Sequence, residues 1–324
     1  MEELLKRYIE NFLDMEKRDA VDTFLHLSKE DIENEYKRLL PYANIDNYTI
    51  KFGESASYFI EELFKRNVDD NTFVISAIEH STIEECLVDI KNKFVLHYDL
   101  TKKLDIDSIV SEYIKSGCNK IFLYGTGILE TQVVSQVFYE KLKDRLVENN
   151  IEHIFVLDDV QSCFLIPRDY SIFDYVIYTC HAIIPYIDSG ILFCKNDVDL
   201  GYEDIEKAHE YLIELKSVLK KKDYIFLFKR MMIEYFSEEL SNEIFSTINS
   251  VDHIFYLKYD KEIGKFIVKH RDEFKKYKID VEDTFIMLRF TFLLDNGIDD
   301  IIECLNKIKK VLNKCIKLSE MMGK

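Results

Sequence analysis

The sequence has 324 residues, of which 47% are hydrophobic and 32% are charged, and its formal net charge is −17. This length predicts one large domain with a smaller one. The acidity argues against nucleic acid as a partner, because phosphate backbones repel an acidic protein. No apolar run approaches the roughly 20 residues that cross a bilayer, and MEELLKRYIENFLDMEKRD is an amphipathic helix pattern rather than a signal peptide. We expect a cytoplasmic protein without a membrane partner.

The cysteines and histidines do not cluster. Seven cysteines are scattered without a CxxC pair, and eight histidines lack HxxxH spacing. Most of the cysteines lie in apolar stretches, which is typical of reduced, buried thiols. Zinc ligands would be closely spaced, so the sequence predicts no metal site.

Strand and helix patterns alternate along most of the chain. Residues 1–45 form a helical segment, in which Ser28 and Asp31 make a capping box. Strands are predicted at Tyr48–Phe52, Thr72–Ala77, Phe94–Tyr98, Lys120–Tyr124, Ile154–Leu157, Tyr175–Tyr178 and Ile191–Phe193. Helices are predicted at Met1–Glu16, Ser28–Leu39, from about Tyr58, and at Ser81–Lys91, Ile106–Ser116 and Ser135–Asn149. This alternation predicts an α/β fold over residues 46–200, a three-layer α/β/α arrangement around a mostly parallel sheet.

The pattern changes over residues 201–324. Long charged helical patterns cover Glu203–Lys221 and Tyr224–Ile248, and a final amphipathic helix covers Gly297–Leu318. Between them, Ile263–Tyr277 and Val281–Leu294 suggest short strands with a helix between. We expect a smaller α+β domain here.

Four loops at predicted strand ends carry chemically useful side chains. They are Gly53–Ser57, Ala77–Ser81 with His80, Leu157–Ser162 with Asp158 and Gln161, and Thr179–Ala182 with His181. In parallel sheets, ligands lie beyond the strand ends. Small residues between a strand and a helix also leave backbone N–H groups available to a phosphate. Each loop taken alone has an ordinary structural explanation as a helix cap or a turn.

The order and spacing of these loops resemble the class V aminotransferases and cysteine desulfurases, a branch of the pyridoxal-phosphate enzymes of fold type I. FGESASYF is similar to the family's SGATEA-like turn, SAIEHST to SAxEHxA, LDDVQS to VDAxQS, and TCHA to SxHK. The resemblance extends from about Tyr48 to Phe193 and recurs near Arg289.

The resemblance implies pyridoxal 5'-phosphate as cofactor and assigns its contacts. The phosphate would be held by Gly53, Glu54, Ser55 and Thr179. His181 matches the histidine of the family's SxHK motif and is assigned to the same cofactor site. The ring would be stacked by His80, paired at its nitrogen with Asp158 and contacted at its phenolic oxygen by Gln161. A carboxylate beside the ring nitrogen keeps that nitrogen protonated, which makes the ring a better electron sink.

The position that the family fills with its catalytic lysine holds Ala182. That lysine bonds covalently to the cofactor and moves protons at the substrate Cα, and a methyl group can do neither. One explanation is an altered enzyme that traps the adduct of its substrate with the cofactor. Another is a natively lysine-less, catalytically inactive binding or scaffold protein, and a third is histidine chemistry through His181. The joint presence of the other pocket residues favours the altered enzyme.

The reaction type is less defined. Arg289 in LRFTF resembles the arginine that binds a substrate α-carboxylate, although it could be a surface charge on a strand. The preceding KYKIDVEDTFIM has no cysteine, which disfavours a desulfurase, and Gly125, Thr126 and Gly127 stand where the family has an asparagine. We predict transamination or a lyase reaction on a small amino acid, in a homodimer because the family builds its sites between subunits. A nucleotide-binding Rossmann enzyme would need a GxGxxG turn, which is absent.

Overall fold

The structure is a computed structural model. It describes residues 2–19, 27–76, 81–88, 94–97, 105–129, 132–162, 165–179, 189–196, 198–199, 203–220, 222–237, 254–259, 261–275, 277, 279–281, 285–290, 292–293 and 296–322.

Helices and strands alternate through the first two thirds of the chain. The helices are Glu2–Asp19 (α1), Lys29–Leu39 (α2), Ala56–Asn67 (α3), Ser81–Val88 (α4), Ile106–Ser116 (α5), Gln136–Glu148 (α6), Ile205–Lys220 (α7), Lys222–Ser237 (α8), Lys261–Ile267 (α9), Arg271–Lys275 (α10) and Ile298–Met322 (α11). The strands are Thr49–Gly53 (β1), Thr72–Ser76 (β2), Phe94–His97 (β3), Lys120–Thr126 (β4), Ile128–Leu129 (β5), Gln132–Val133 (β6), Glu152–Asp158 (β7), Tyr175–Tyr178 (β8), Gly190–Cys194 (β9), Ile254–Lys258 (β10), Asp280–Val281 (β11) and Phe285–Arg289 (β12).

The described chain divides into two compact units. The sheet unit contains the described residues from 27 to 179 and from 189 to 215, and the C-terminal unit contains those up to 19 and from 216 onward. The predicted domain limits at residues 45 and 200 stay a prediction.

A seven-stranded sheet forms the centre of the sheet unit, in the order β1-β9-β8-β7-β4-β2-β3. Strand β9 pairs antiparallel with both β1 and β8, while the pairs β8–β7, β7–β4, β4–β2 and β2–β3 are all parallel. Six of the seven strands therefore run in one direction. The predicted α/β fold with a mostly parallel sheet is confirmed.

Helices cover both faces of this sheet. On one face α3 and α4 bury Phe59, Leu63 and Ile83 in a cluster that includes Phe122 and Tyr124 of β4. On the other face the α5 ring of Tyr113 meets Phe73 of β2, with ring centroids 6.0 Å apart, and α6 packs on α5 and β7. Alternate side chains of a strand point to opposite faces, so the apolar strands supply both layers of the core.

Local signals in the sequence set several boundaries. Ser28 and Asp31 form the predicted capping box at the start of α2. Helix α3 begins at Ala56, two residues before the predicted start, because Ser55 acts as its N-cap and accepts a hydrogen bond from the Tyr58 amide. The β5–β6 hairpin was not predicted, since two-residue strands leave no periodic pattern.

In the C-terminal unit, β10, β12 and β11 form an antiparallel sheet. The predicted strand at Ile263–Tyr277 is wrong, because this segment is helical through α9, a short 3-10 helix and α10. Its buried Ile267 and Phe274 lie seven residues apart, which is two helical turns. Part of Val281–Leu294 is strand as predicted, and none of the described helices is long and apolar enough to cross a membrane.

Candidate functional site

The carboxyl edge of the large sheet brings together several of the predicted site loops. We define the carboxyl edge by the ends of β1, β4, β7 and β8 and the start of β9. Strand pairing aligns Thr126 with Asp158 and Asp158 with Ile177. It also aligns Gly53 with Gly190. The predicted phosphate turn, the Asp158 loop and Thr179 therefore share one edge, where ligands of such sheets bind.

The predicted phosphate turn packs tightly against the start of β9. A Cβ added to Gly190 would lie 2.4 Å from the carbonyl oxygen of Ser55, and one added to Gly53 would lie 2.8 Å from the Phe59 ring. The Ser55 hydroxyl caps α3 by accepting from Tyr58 N at 3.1 Å, and Glu54 is exposed. Two glycines thus let the N-terminus of α3 approach the sheet edge.

Thr179 and Ser189 face each other across the gap between β8 and β9. The Thr179 hydroxyl donates to the Ser189 carbonyl at 2.7 Å, and both residues are buried. The Ser189 hydroxyl is also buried, and it has no hydrogen-bond partner within the described part of the chain. Sequence reasoning missed Ser189, because a single serine before a strand carries no distinctive pattern.

Asp158 ends β7 with a half-buried carboxylate. Its Oδ2 accepts a 2.7 Å hydrogen bond from the hydroxyl of Tyr124, and its Oδ1 accepts from the Val160 amide at 3.1 Å. Gln161 follows in a 3-10 turn over Val160–Ser162 and is half-buried. Tyr124 was not predicted as a site residue; its hydroxyl on the neighbouring strand fixes one oxygen of the carboxylate.

The glycines at the end of β4, Gly125 and Gly127, leave no room for a larger side chain. The Tyr139 hydroxyl accepts from the Thr126 amide at 3.1 Å and donates to the Thr126 carbonyl at 2.8 Å. A Cβ on Gly125 would lie 2.7 Å from the Tyr139 ring, and one on Gly127 would lie 1.9 Å from Oδ1 of Asp159. Tyr139 of α6 and Asp159, which follows β7, therefore fill the space beside these glycines.

A buried charged cluster lies next to Asp158. The fully buried Asp159 accepts a 2.6 Å hydrogen bond from the Tyr170 hydroxyl, and its Oδ1 lies 3.5 Å from Nε of the buried Arg168. Burial raises the pKa of the Asp159 carboxyl, while the Arg168 charge and the Tyr170 hydrogen bond oppose that rise. Burial also raises the pKa of Tyr42 to about 12, with Asp159 adding to the shift.

Three predicted site residues, His80, His181 and Ala182, lie outside the described residues. Arg289 belongs to the C-terminal unit, where its Nη1 binds Oδ2 of Asp280 on the neighbouring strand at 2.5 Å. Lys195 follows β9, which runs opposite to its neighbours, so it lies at the other edge from Gly190. Five residues of strand span roughly 16 Å, so Lys195 lies well away from the carboxyl edge.

The described residues of the carboxyl edge are chemically suited to pyridoxal phosphate. A half-buried carboxylate suits a protonated ring nitrogen, and the α3 N-terminus suits a phosphate. The buried Ser189 hydroxyl adds a donor that no described residue satisfies. Within the described residues, no group of His, Cys, Asp or Glu is arranged to hold a metal ion.

Several solved structures share this fold. A NifS-like protein from Rickettsia africae matches with a TM-score of 0.62 at 15% identity, covering 87% of this chain and 88% of that one. The pyridoxal-phosphate-bound C-S lyase from Staphylococcus hominis gives 0.63 at 10% identity, with 94% and 88% covered. The histidinol-phosphate aminotransferase from Clostridium acetobutylicum gives 0.55 at 16% identity, with 94% and 96% covered. At these identities the likeness establishes the fold, and function needs a separate argument.

No protein-family model matches the sequence, and no curated protein sequence matches it.

Proposed function

We propose that this chain binds pyridoxal 5'-phosphate at the carboxyl edge and derives from an aminotransferase or lyase acting on a small amino acid. The observation that carries the proposal is the position of Asp158: a half-buried carboxylate at the end of β7, fixed by Tyr124, on the edge that also holds Thr179 and the Gly53–Ser55 turn. The solved structures of this fold include pyridoxal-phosphate-bound enzymes, which agrees with that choice of cofactor.

Each proposed role follows from the chemistry of the side chain. Asp158 holds a proton on the ring nitrogen, because an adjacent negative charge favours the protonated base. Gln161 contacts the phenolic oxygen, and His80 stacks on the ring. The phosphate is bound at the Gly53–Ser55 turn with Thr179, while His181 supports the adjoining loop. When bound, the cofactor supplies an electron sink for charge at the substrate Cα.

Ala182 decides what this chain can do with the cofactor. A methyl group cannot bond covalently to pyridoxal phosphate, and it cannot carry a proton to or from the substrate. We therefore propose a form that holds cofactor, or a cofactor adduct of an amino acid, by non-covalent contacts. The alternative is a lysine-less, inactive binding or scaffold protein, and Ala182 in the sequence is what favours it.

Arg289 is the proposed contact for the substrate α-carboxylate. Its ion pair with Asp280 supplies a structural explanation for the same side chain, since pairing within the small sheet already satisfies its charge. A substrate carboxylate would have to compete with Asp280. We also propose a homodimer, from the resemblance to a family that builds its sites between subunits.

Titration with pyridoxal phosphate tests this function. The unmodified chain is expected to bind the cofactor in a form that gel filtration in phosphate-free buffer retains or that calorimetry detects. The Ala182→Lys variant is expected to develop a visible absorption band on adding the cofactor, and borohydride should fix the cofactor to the peptide that carries position 182.

Two further variants make the result specific. Ala182→Met introduces an unbranched side chain only one atom shorter than lysine that cannot bond to the cofactor, so it should give no new band. Adding Asp158→Asn to Ala182→Lys should weaken binding and shift the band. Failure of both the unmodified chain and Ala182→Lys to bind the cofactor would remove the proposal. Binding without turnover of any amino acid by Ala182→Lys would favour the inactive binding protein.

A further inference from the structure

The turn that follows β7 contacts buried charged side chains that have no role in the proposed chemistry. Asp158 and Gln161 are the first and last of four consecutive residues in one short turn, and between them lies Asp159, whose side chain is completely buried. An acidic side chain is rarely fully buried unless it is paired, and burying one costs free energy unless its partners compensate for it. This placement therefore calls for an explanation.

Backbone hydrogen bonds of Asp158 and Asp159 tie the start of the turn to both sides. Its amide donates to the Ile177 carbonyl of β8 at 3.0 Å. Its carbonyl accepts from the amide and the hydroxyl of Ser162, at 3.1 and 2.9 Å, which closes the turn. On the other side, the Gly127 amide donates to the Asp158 carbonyl at 2.8 Å. Asp158 thus sits between anchors on β4 and β8.

The side chains complete a ring around these anchors. Arg168 donates from Nη2 to the Gly127 carbonyl at 2.8 Å and from Nη1 to the Val134 carbonyl at 3.1 Å. Its Nε lies 3.5 Å from Asp159, which also accepts from Tyr170. Only a glycine fits at position 127, because a Cβ there would overlap the Asp159 carboxylate.

We propose that Asp159, Arg168 and Tyr170, seated against Gly127, are positioning residues that fix the turn presenting Asp158 and Gln161 to the cofactor ring. The inference rests on the proposed function for the identity of the ligand. The Asp159 amide binds β8, and its carboxylate contacts Arg168, which binds the carbonyl of Gly127 just after β4. A shift of β4 or β8 relative to the end of β7 would therefore break one of these buried contacts. Electrostatic contacts are stronger in the low-dielectric interior than in water, so these buried contacts restrict the backbone of the turn.

The rest of the chain supplies a matched control. Asp174 precedes β8, and its Oδ2 accepts from the amide of Phe155, in the middle of β7, at 2.8 Å. Asp159→Asn and Asp174→Asn therefore each remove one carboxylate, the first from the turn after β7 and the second from the middle of that strand. Tyr170→Phe is a milder change, which removes only the hydroxyl that donates to Asp159. It guards against an Asp159→Asn chain that does not fold.

The first measurement needs no cofactor. Hydrogen exchange of the peptide covering residues 155–162 should speed up about tenfold in Asp159→Asn and Tyr170→Phe, because local opening becomes easier when its anchors weaken. Asp174→Asn should leave the exchange of residues 159–162 unchanged. Equal exchange in all three variants would overturn the proposal.

The second measurement separates positioning from general packing. Binding is compared for pyridoxal phosphate and for its analogue in which carbon replaces the ring nitrogen. A displaced turn weakens the Asp158 contact, which the analogue lacks, and the Gln161 contact, which both ligands share. Both cluster variants should therefore lose roughly tenfold in affinity for pyridoxal phosphate and clearly less for the analogue. Equal losses for the two ligands, or none, would overturn the inference while leaving the proposed function intact. An unmodified chain that binds neither ligand removes the proposed function and this inference with it.

Discussion

The two edges of the seven-stranded sheet use polar side chains in opposite ways. At the amino edge, Lys143 and Lys195 donate to the carbonyls of Ile172 and Ser171. Tyr48 donates to the Phe173 carbonyl at 2.6 Å, and Asp174 accepts from a β7 amide. These side chains all tie down the segment that enters β8.

The carboxyl edge has small residues and hydroxyls in place of lysines. Gly53 and Gly190 let helix α3 approach, and the Ser189 hydroxyl is buried without a partner in the described residues. The comparison teaches that the number of charged side chains at an edge does not identify the candidate site. At the amino edge, Lys143 and Lys195 bind the segment that enters β8. The carboxyl edge has no described lysine, but it has the half-buried acid and the helix N-terminus that suit a phosphorylated cofactor.

The largest expected difference between the edges concerns cofactor binding. Asp158→Asn should weaken pyridoxal phosphate binding by roughly ten- to a hundredfold, because a hydrogen bond to a charged group contributes about 1.5–3 kcal/mol. Asp174→Asn, which removes the carboxylate that binds the middle of β7, should leave the affinity unchanged. Isothermal titration of both variants checks this.

An equal loss of cofactor affinity in the two variants would contradict this difference between the edges. In that case, the loss would come from a disturbed β7, and the carboxyl edge would hold no special contact to the ring nitrogen. Far-ultraviolet circular dichroism of each variant supplies the control for correct folding.

Much of the sheet unit follows from sequence alone, because its strands are short apolar runs between amphipathic helices. The strand at Tyr175–Tyr178 and the helix at Ile106–Ser116 were predicted with the observed bounds. The C-terminal unit was harder. The run Phe266-Ile267-Val268 has the composition of a strand, yet tertiary burial of Ile267 and Phe274 favours a helix there.

The site was predictable only where its residues form local motifs. Asp158 and Thr179 follow strands directly, so their edge could be inferred from the parallel arrangement. Tyr124 and Arg168 could not, because they lie 34 residues before Asp158 and nine residues after Asp159 and meet these acids only through strand pairing and loop packing. Roles for the predicted site residues stay predictions, including those of His80, His181 and Ala182.

The second prediction concerns the glycine that brings β9 against α3. Gly190→Ala should lower the free energy of unfolding by about 1–3 kcal/mol, as inserting a methyl group into a packed position does. The contact at 2.4 Å is with backbone, which cannot rotate away. Gly297→Ala is the control, since its added Cβ would lie 3.6 Å from the nearest atom, Oδ2 of Asp300.

Urea denaturation measures the loss for both glycine variants. Equal stability of Gly190→Ala and the unmodified chain would show that α3 is not pressed against the carboxyl edge, and the contrast between the edges would lose its packing basis.

The smallest expected effect comes from Lys195 at the amino edge. Burial, with Lys143 adding, lowers the pKa of Lys195 from its ordinary 10.5. The folded chain therefore holds fewer protons than the unfolded chain between the lowered pKa and 10.5, so stability rises with pH across that window. Lys195→Met should remove this rise and leave cofactor affinity unchanged. Nuclear magnetic resonance of methyl-labelled lysines should find Lys195 titrating below the exposed lysines. A Lys195 signal that titrates with them would contradict the assignment of this side chain to the packed segment before β8.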